Sequence, residues 1–141
     1  MGLYTIKPDG TELTQIFGNR VVREIPDTSL LYWEDPTYSP DGRWIAFVNN
    51  STSHEDPDRR SQLFVLDAHG MNLRRVTSEP REKILASWSP DGEHPLYENV
   101  LYEQRGLFVV NASGTGRQEI TTTQYGEQVQ ERSLANAVWL P

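Results

Sequence analysis

The chain has 141 residues, of which 36% are hydrophobic and 10% aromatic, with a formal net charge of −7 and no cysteine. That is the composition of one globular domain with a core of its own, and it excludes disulfides, a thiol nucleophile and thiolate metal sites. The acidic balance argues against a nucleic-acid partner, because phosphate binding wants clustered Lys and Arg, and the basic pairs are only Arg59-Arg60 and Arg74-Arg75.

No apolar run approaches the ~18 residues that span a bilayer, so no membrane partner is expected. The first ten residues lack the apolar stretch of a signal peptide. The expected location is the cytoplasm, unless the chain is a piece of an exported protein.

In chain order, Leu3-Tyr4-Thr5-Ile6-Lys7-Pro8-Asp9-Gly10 is a short apolar strand followed by a polar turn closed by Gly. The same phrase returns as Leu63-Phe64-Val65-Leu66-Asp67-Ala68-His69-Gly70 and as Leu107-Phe108-Val109-Val110-Asn111-Ala112-Ser113-Gly114. Six residues beyond each Gly stands a β-branched residue (Ile16, Val76 and Ile120), marking a following strand.

A second phrase alternates with the first: Tyr38-Ser39-Pro40-Asp41-Gly42 and, fifty positions later, Trp88-Ser89-Pro90-Asp91-Gly92. Pro presets φ for a type I turn, Asp suits the next position, and Gly accepts the left-handed residue that closes a three-residue hairpin loop. The strand-like Arg43-Trp44-Ile45-Ala46-Phe47-Val48 follows the first copy. After the second copy, Pro95 falls inside the corresponding stretch, which predicts a bulge or shortened pairing there.

These phrases assemble into units of four antiparallel strands, with the Ser-Pro-Asp-Gly turn joining strands one and two and the other turn joining three and four. A period of this size is the arithmetic of a β-propeller blade. The expected fold is all-β and a single domain over residues 1–141. It comprises a leading hairpin at about 3–17, full blades at about 36–78 and 86–122, and a trailing strand at about 135–141, where Trp139 repeats Trp88. The partial blade is thus split between the chain ends. Tyr38, Trp88 and Trp139 read as packing between blades.

The Tyr/Trp-Ser-Pro-Asp-Gly turn, the apolar strand after it, Leu63-Phe64-Val65-Leu66-Asp67 with its Gly-closed turn, and Arg74-Arg75-Val76-Thr77 together resemble the WD40-like repeat of TolB-type β-propellers. The resemblance covers about two thirds of the chain. It implies a propeller and a role in protein–protein contact, and extends to propellers that gate access to prolyl-oligopeptidase-type serine hydrolases. Two whole blades do not close a ring. The chain is expected to be a segment of something larger, to close by pairing with further copies of itself, or to be a small open stack.

The tight turns all exit on one face. The other connections, 18–34, 49–61 and 122–134, are long and exit on the opposite face, where binding is expected. The candidate binding residues on that face are Glu34, Asp35, His54, Glu55, Asp56, Asp58, Arg59, Arg60, Glu103, Arg105 and Tyr125. The acidic run at 55–58 has carboxylates that suit Ca²⁺, but lacks EF-hand spacing and is interrupted by Pro57, so a solvated acidic loop is the expectation.

No catalysis, metal or cofactor is expected: the three histidines are scattered, and neither Gly-x-Ser-x-Gly nor a dinucleotide fingerprint occurs. The expected function is a noncatalytic module for protein–protein contact or scaffolding, closing its ring by homo-oligomerisation in one version. The alternative is the gating propeller of a serine hydrolase whose catalytic domain lies elsewhere.

Overall fold

The computed structural model describes residues 2–18, 32–79, 82–101 and 104–124. All ten elements there are strands: β1 (Gly2–Thr5), β2 (Thr14–Gly18), β3 (Tyr32–Tyr38), β4 (Trp44–Asn50), β5 (Ser61–Asp67), β6 (Arg74–Arg75), β7 (Glu82–Trp88), β8 (Pro95–Leu101), β9 (Gln104–Val109) and β10 (Gln118–Gln124). They form a hairpin β1-β2 and two four-stranded antiparallel sheets with orders β3-β4-β5-β6 and β7-β8-β9-β10. The fold is all-β, in blades joined as the repeat predicts. The expected trailing strand at 135–141 lies outside the described residues.

Turn chemistry sets this connectivity. In the first Ser-Pro-Asp-Gly turn, Ser39 Oγ donates to Asp41 Oδ1 at 2.6 Å and accepts the Trp44 amide at 3.0 Å, while the Arg43 amide also donates to Asp41 Oδ1 at 3.0 Å. Gly42 follows at φ 71°, and Gly92 repeats it at 74°. Ser89 and Asp91 reproduce the same bonds with the amides of His94 and Glu93.

The other turn has a different signature. The Lys7 amide donates to the Thr11 carbonyl, as Asp67 does to Met71 and Asn111 to Thr115, each at 2.9 Å. The turn of the leading hairpin therefore shares its bonding with those that join β5 to β6 and β9 to β10. Glu12 and Asn72, both at φ 54°, take a left-handed conformation where the third copy has Gly116 at 66°.

Several elements depart in detail from expectation. Pro95 does not bulge β8, which is as long as β4 at seven residues, but it opens the strand one repeat position later than Trp44 opens β4, and β8 pairs with β9 only from Leu96↔Val109 where β4 pairs with β5 from Trp44↔Asp67, so the pairing is shortened there as expected. The register shifts within the first strand of each sheet, between Glu34 and Thr37 in β3 and between Leu85 and Ser87 in β7. β3 begins before the expected position 36, and β10 runs on to Gln124, taking residues 122–124 out of the predicted loop. The fourth strand of the first sheet is short, because β6 pairs only through Arg74 and Arg75.

Strand alternation gives each sheet two apolar faces. Phe17 of the hairpin packs with Ile45, Phe47, Phe64 and Leu66 on one face of the first sheet. The opposite face, with Ala46, Val48, Leu63 and Val65, packs on Trp88, Tyr97, Phe108 and Val110 of the second sheet. On the far face of the second sheet Leu96, Leu107 and Val109 are buried. Hairpin and sheets thus stack in chain order, each unit's later face meeting the next unit's earlier one.

Candidate functional site

Because both tight turns of each unit open at one end of the strands, the strand ends around Trp33, Asn49, Ser61, Lys83, Asn99 and Arg105 lie on the opposite face, where binding was expected. Of the candidate binding residues, Glu34, Asp35 and Arg105 are described; His54, Glu55, Asp56, Asp58, Arg59, Arg60, Glu103 and Tyr125 lie outside the described residues.

Glu34 and Asp35 are not on a loop. They belong to β3, exposed at its bulge, with Asp35 at φ 52°. The extra residue of the bulge turns the backbone over locally on an edge strand, where an exposed acidic pair is tolerated. Arg105 is likewise in a strand, β9, because only residues 102 and 103 separate β8 from β9. Its Nη1 donates to Glu98 Oε1 at 3.0 Å, and Glu98 is fully buried. The structure therefore assigns Arg105 to a largely buried ion pair of the second sheet and not to an open binding loop.

The residues missed by the sequence reading lie between the sheets. Gln62 Nε2 donates to the Glu79 carbonyl at 2.8 Å, and Thr77 Oγ1 donates to Gln62 Oε1 at 2.7 Å. Lys83 Nζ, buried, also donates to the Glu79 carbonyl, at 3.0 Å. The Glu79 carboxylate pairs with the Arg117 guanidinium. That guanidinium lies 4.0 Å over the Phe108 ring, and its Nε donates to the Tyr97 hydroxyl at 3.0 Å. Burial pushes the Tyr97 hydroxyl up to about 12, with Arg117 opposing the shift.

Glu79 therefore stitches the end of the first sheet to Lys83 and Arg117, and through Arg117 to Tyr97. Ser61 adds a further tie, through hydroxyl bonds with the Lys83 backbone. One signal was available in the sequence: when the repeats are superposed, Trp33, Val48 and Ser61 become Lys83, Glu98 and Arg105. Charge enters the second blade at positions where the first is uncharged.

Ser89, Asp91 and His94 also converge, with Ser89 Oγ 3.5 Å and Asp91 Oδ1 3.7 Å from the same His94 Nδ1. This is not a charge relay. A relay needs Ser and Asp on opposite ring nitrogens, and Ser89 already donates to Asp91 and accepts the His94 amide. The first blade has the same turn with Trp44 in place of histidine. Among the described residues no group of three or more His, Asp or Glu side chains could hold a metal ion.

No known protein family matches the chain. Over 62 residues it is 36% identical to the uncharacterized peptidase YuxL of Bacillus subtilis, covering 44% of this chain and 9% of that protein. Over 83 residues it is 24% identical to dipeptidyl-peptidase 5 of Porphyromonas endodontalis, covering 59% of this chain and 12% of that one. The chain thus spans about a tenth of the length of these curated relatives.

Among solved structures it is similar to a putative TolB from Agrobacterium tumefaciens, with a TM-score of 0.62 at 17% identity over 87% of this chain and 42% of that one. TolB from Acinetobacter baumannii gives 0.59 at 18% identity, over 85% of this chain and 26% of that one. An oligogalacturonate lyase in complex with manganese gives 0.59 at 21% identity, over 86% and 30%. These neighbours are β-propellers, and the likeness establishes a TolB-like propeller fold for most of the chain.

Proposed function

We propose that the chain is a noncatalytic β-propeller segment that serves in protein–protein contact through the face opposite its Gly-closed turns. The observation that carries this reading is how the reactive side chains are used. Ser89, Asp91 and His94 are engaged in a turn, and Glu79, Lys83, Tyr97 and Arg117 hold one sheet against the next. What such a scaffold offers is a rigid array of loop ends. Charge reversal of Glu55, Asp56 and Asp58 together is expected to weaken partner capture with an unchanged circular dichroism spectrum. Unchanged capture, combined with loss on substitution of the tight-turn residues Asp41 and Asp91, would place the contact on the other face.

The second reading, a propeller that gates a serine hydrolase, is favoured by one specific observation: both curated relatives are named as peptidases. The two readings separate on the native gene product, recovered from cell extract with an antibody against this chain and treated with a fluorophosphonate. Covalent labelling of a polypeptide carrying these residues supports the hydrolase; no labelling supports the contact module.

A further inference from the structure

The join between the two sheets changes character along the strands. Towards the Gly-closed turns, Trp88, Tyr97, Phe108 and Val110 meet Ala46 and Val65 in one apolar cluster. Towards the long connections the buried side chains are polar, among them Ser61, Gln62, Lys83 and Asn99. Asn99 stands opposite Lys83 in the β7–β8 ladder, on the face that Tyr97 turns to the first sheet. It is 2% exposed, and its Oδ1 is buried and meets no hydrogen-bond donor.

Glu79 Oε2 is a second buried acceptor that meets no hydrogen-bond donor. It lies 4.0 Å from Lys83 Nζ, too far for a direct hydrogen bond and within the span of one bridging water. The repeat carries the same feature in the unit before. Asn49, fifty residues earlier and 5% exposed, faces the hairpin from the equivalent place in β4, and its Oδ1 is likewise buried with no donor. One such acceptor is a local accident; two at one repeat position belong to the design of the unit. Buried polar groups that lack a protein partner are ordinarily bonded to ordered water.

We propose that ordered water sits at the long-loop end of the join between the sheets, donating to Asn99 Oδ1 and Glu79 Oε2. A counterpart donates to Asn49 Oδ1 at the join with the hairpin. Water fits this chemistry where an ion does not. The atoms to be satisfied are acceptors, which excludes an anion, and the Lys83 ammonium beside Glu79 Oε2 opposes a cation. Water brings two donors and no charge. The joins are then dry at the end of the tight turns and hydrated at the end that carries the long connections. The proposal stands on how the units pack and not on either functional reading, so its failure leaves both intact.

Oxygen-17 relaxation dispersion of the purified chain tests it, because only water that tumbles with the protein contributes. The wild type is expected to show such water. Asn99→Leu is expected to lower the signal by about one molecule, and Asn49→Leu by about one as well. Asn111→Leu removes a surface amide bonded to Thr115 and is expected to change nothing. Should a leucine variant lose its fold by circular dichroism, water-to-protein Overhauser contacts at the Asn99 side-chain amide of the wild type decide alone. A wild type without long-lived water, a signal unchanged by both substitutions in folded variants, or an Asn99 amide that meets no water would each overturn the proposal.

Discussion

The Trp88 indole Nε1 donates to the Thr37 carbonyl at 3.2 Å, joining the first strands of the two sheets, β7 and β3. The ring is buried against the first sheet's Ala46 and Leu63 face, so one side chain supplies both apolar contact and a polar tether. Trp88→Ala is expected to cost about 3–5 kcal/mol, and Trp88→Phe about 1 kcal/mol, the latter from the lost bond with most of the burial kept. Urea unfolding followed by circular dichroism measures both. Equal losses would show that the bond, and not the ring, holds the join.

The two Ser-Pro-Asp-Gly glycines are alike in sequence and in backbone, but not in surroundings. Gly42→Ala meets only the left-handed φ and is expected to cost about 1–2 kcal/mol. Gly92→Ala adds a Cβ 2.7 Å from the Asp41 carboxylate, which is fixed by Ser39 and the Arg43 amide. It is expected to cost at least about 1 kcal/mol more. An Asp41→Ala background removes the obstacle, so the difference between the two alanine variants disappears there. A difference that persists would assign the cost to the turn itself.

How much of this was legible follows from what each residue reports. Pro, Asp and Gly in a turn answer a local backbone demand, so the repeat could be read one phrase at a time, and the strand order followed from it. The bulge at Asp35 in β3, and the left-handed Glu12 and Asn72, carry no such mark, because no glycine stands at those positions. Pro95 was legible in its effect, a shortened β8–β9 pairing, because a proline that opens a strand brings no N–H to the ladder. The Glu79 seam was hidden for another reason: its members come from residues 62 to 117 and meet only when the sheets stack. Glu98 and Arg105 were legible only by superposing one blade on the other.

That superposition suggests a direct test of the ion pair. Restoring the first blade's residues one at a time, Glu98→Val removes the carboxylate that accepts from the Arg105 guanidinium, which is largely out of water. It is expected to cost about 3–5 kcal/mol. Adding Arg105→Ser removes the stranded charge and is expected to recover part of that loss, since replacing both members of a buried pair costs less than breaking it. The chemical denaturation midpoints of the two variants decide it. A double variant no more stable than Glu98→Val would mean that Glu98 acts through groups other than Arg105.

The pH limits of stability follow from two sets of groups with opposite signs. The Ser39 hydroxyl and the Arg43 amide hold Asp41 down at about 2, and the Ser89 hydroxyl and Glu93 amide likewise hold Asp91 below its ordinary value. A depressed carboxyl contributes stability that is present above its unfolded value of 3.8 and lost as pH falls through the folded one. The turns are therefore expected to weaken progressively below about pH 4, and Asp41→Asn with Asp91→Asn to flatten that acid slope. Tyr97 has the reverse sign. Its folded value, raised to about 12 by burial, contributes stability present below the unfolded value of 10.0 and lost between the two. The expected loss is roughly 2–3 kcal/mol by the upper end. Tyr97→Phe gives up the Arg117 bond, at about 1 kcal/mol near neutral pH, but removes this alkaline decline. Thermal melts of wild type and variant from pH 9 to 11 check it, and parallel declines in the two proteins would assign the alkaline transition to groups other than Tyr97.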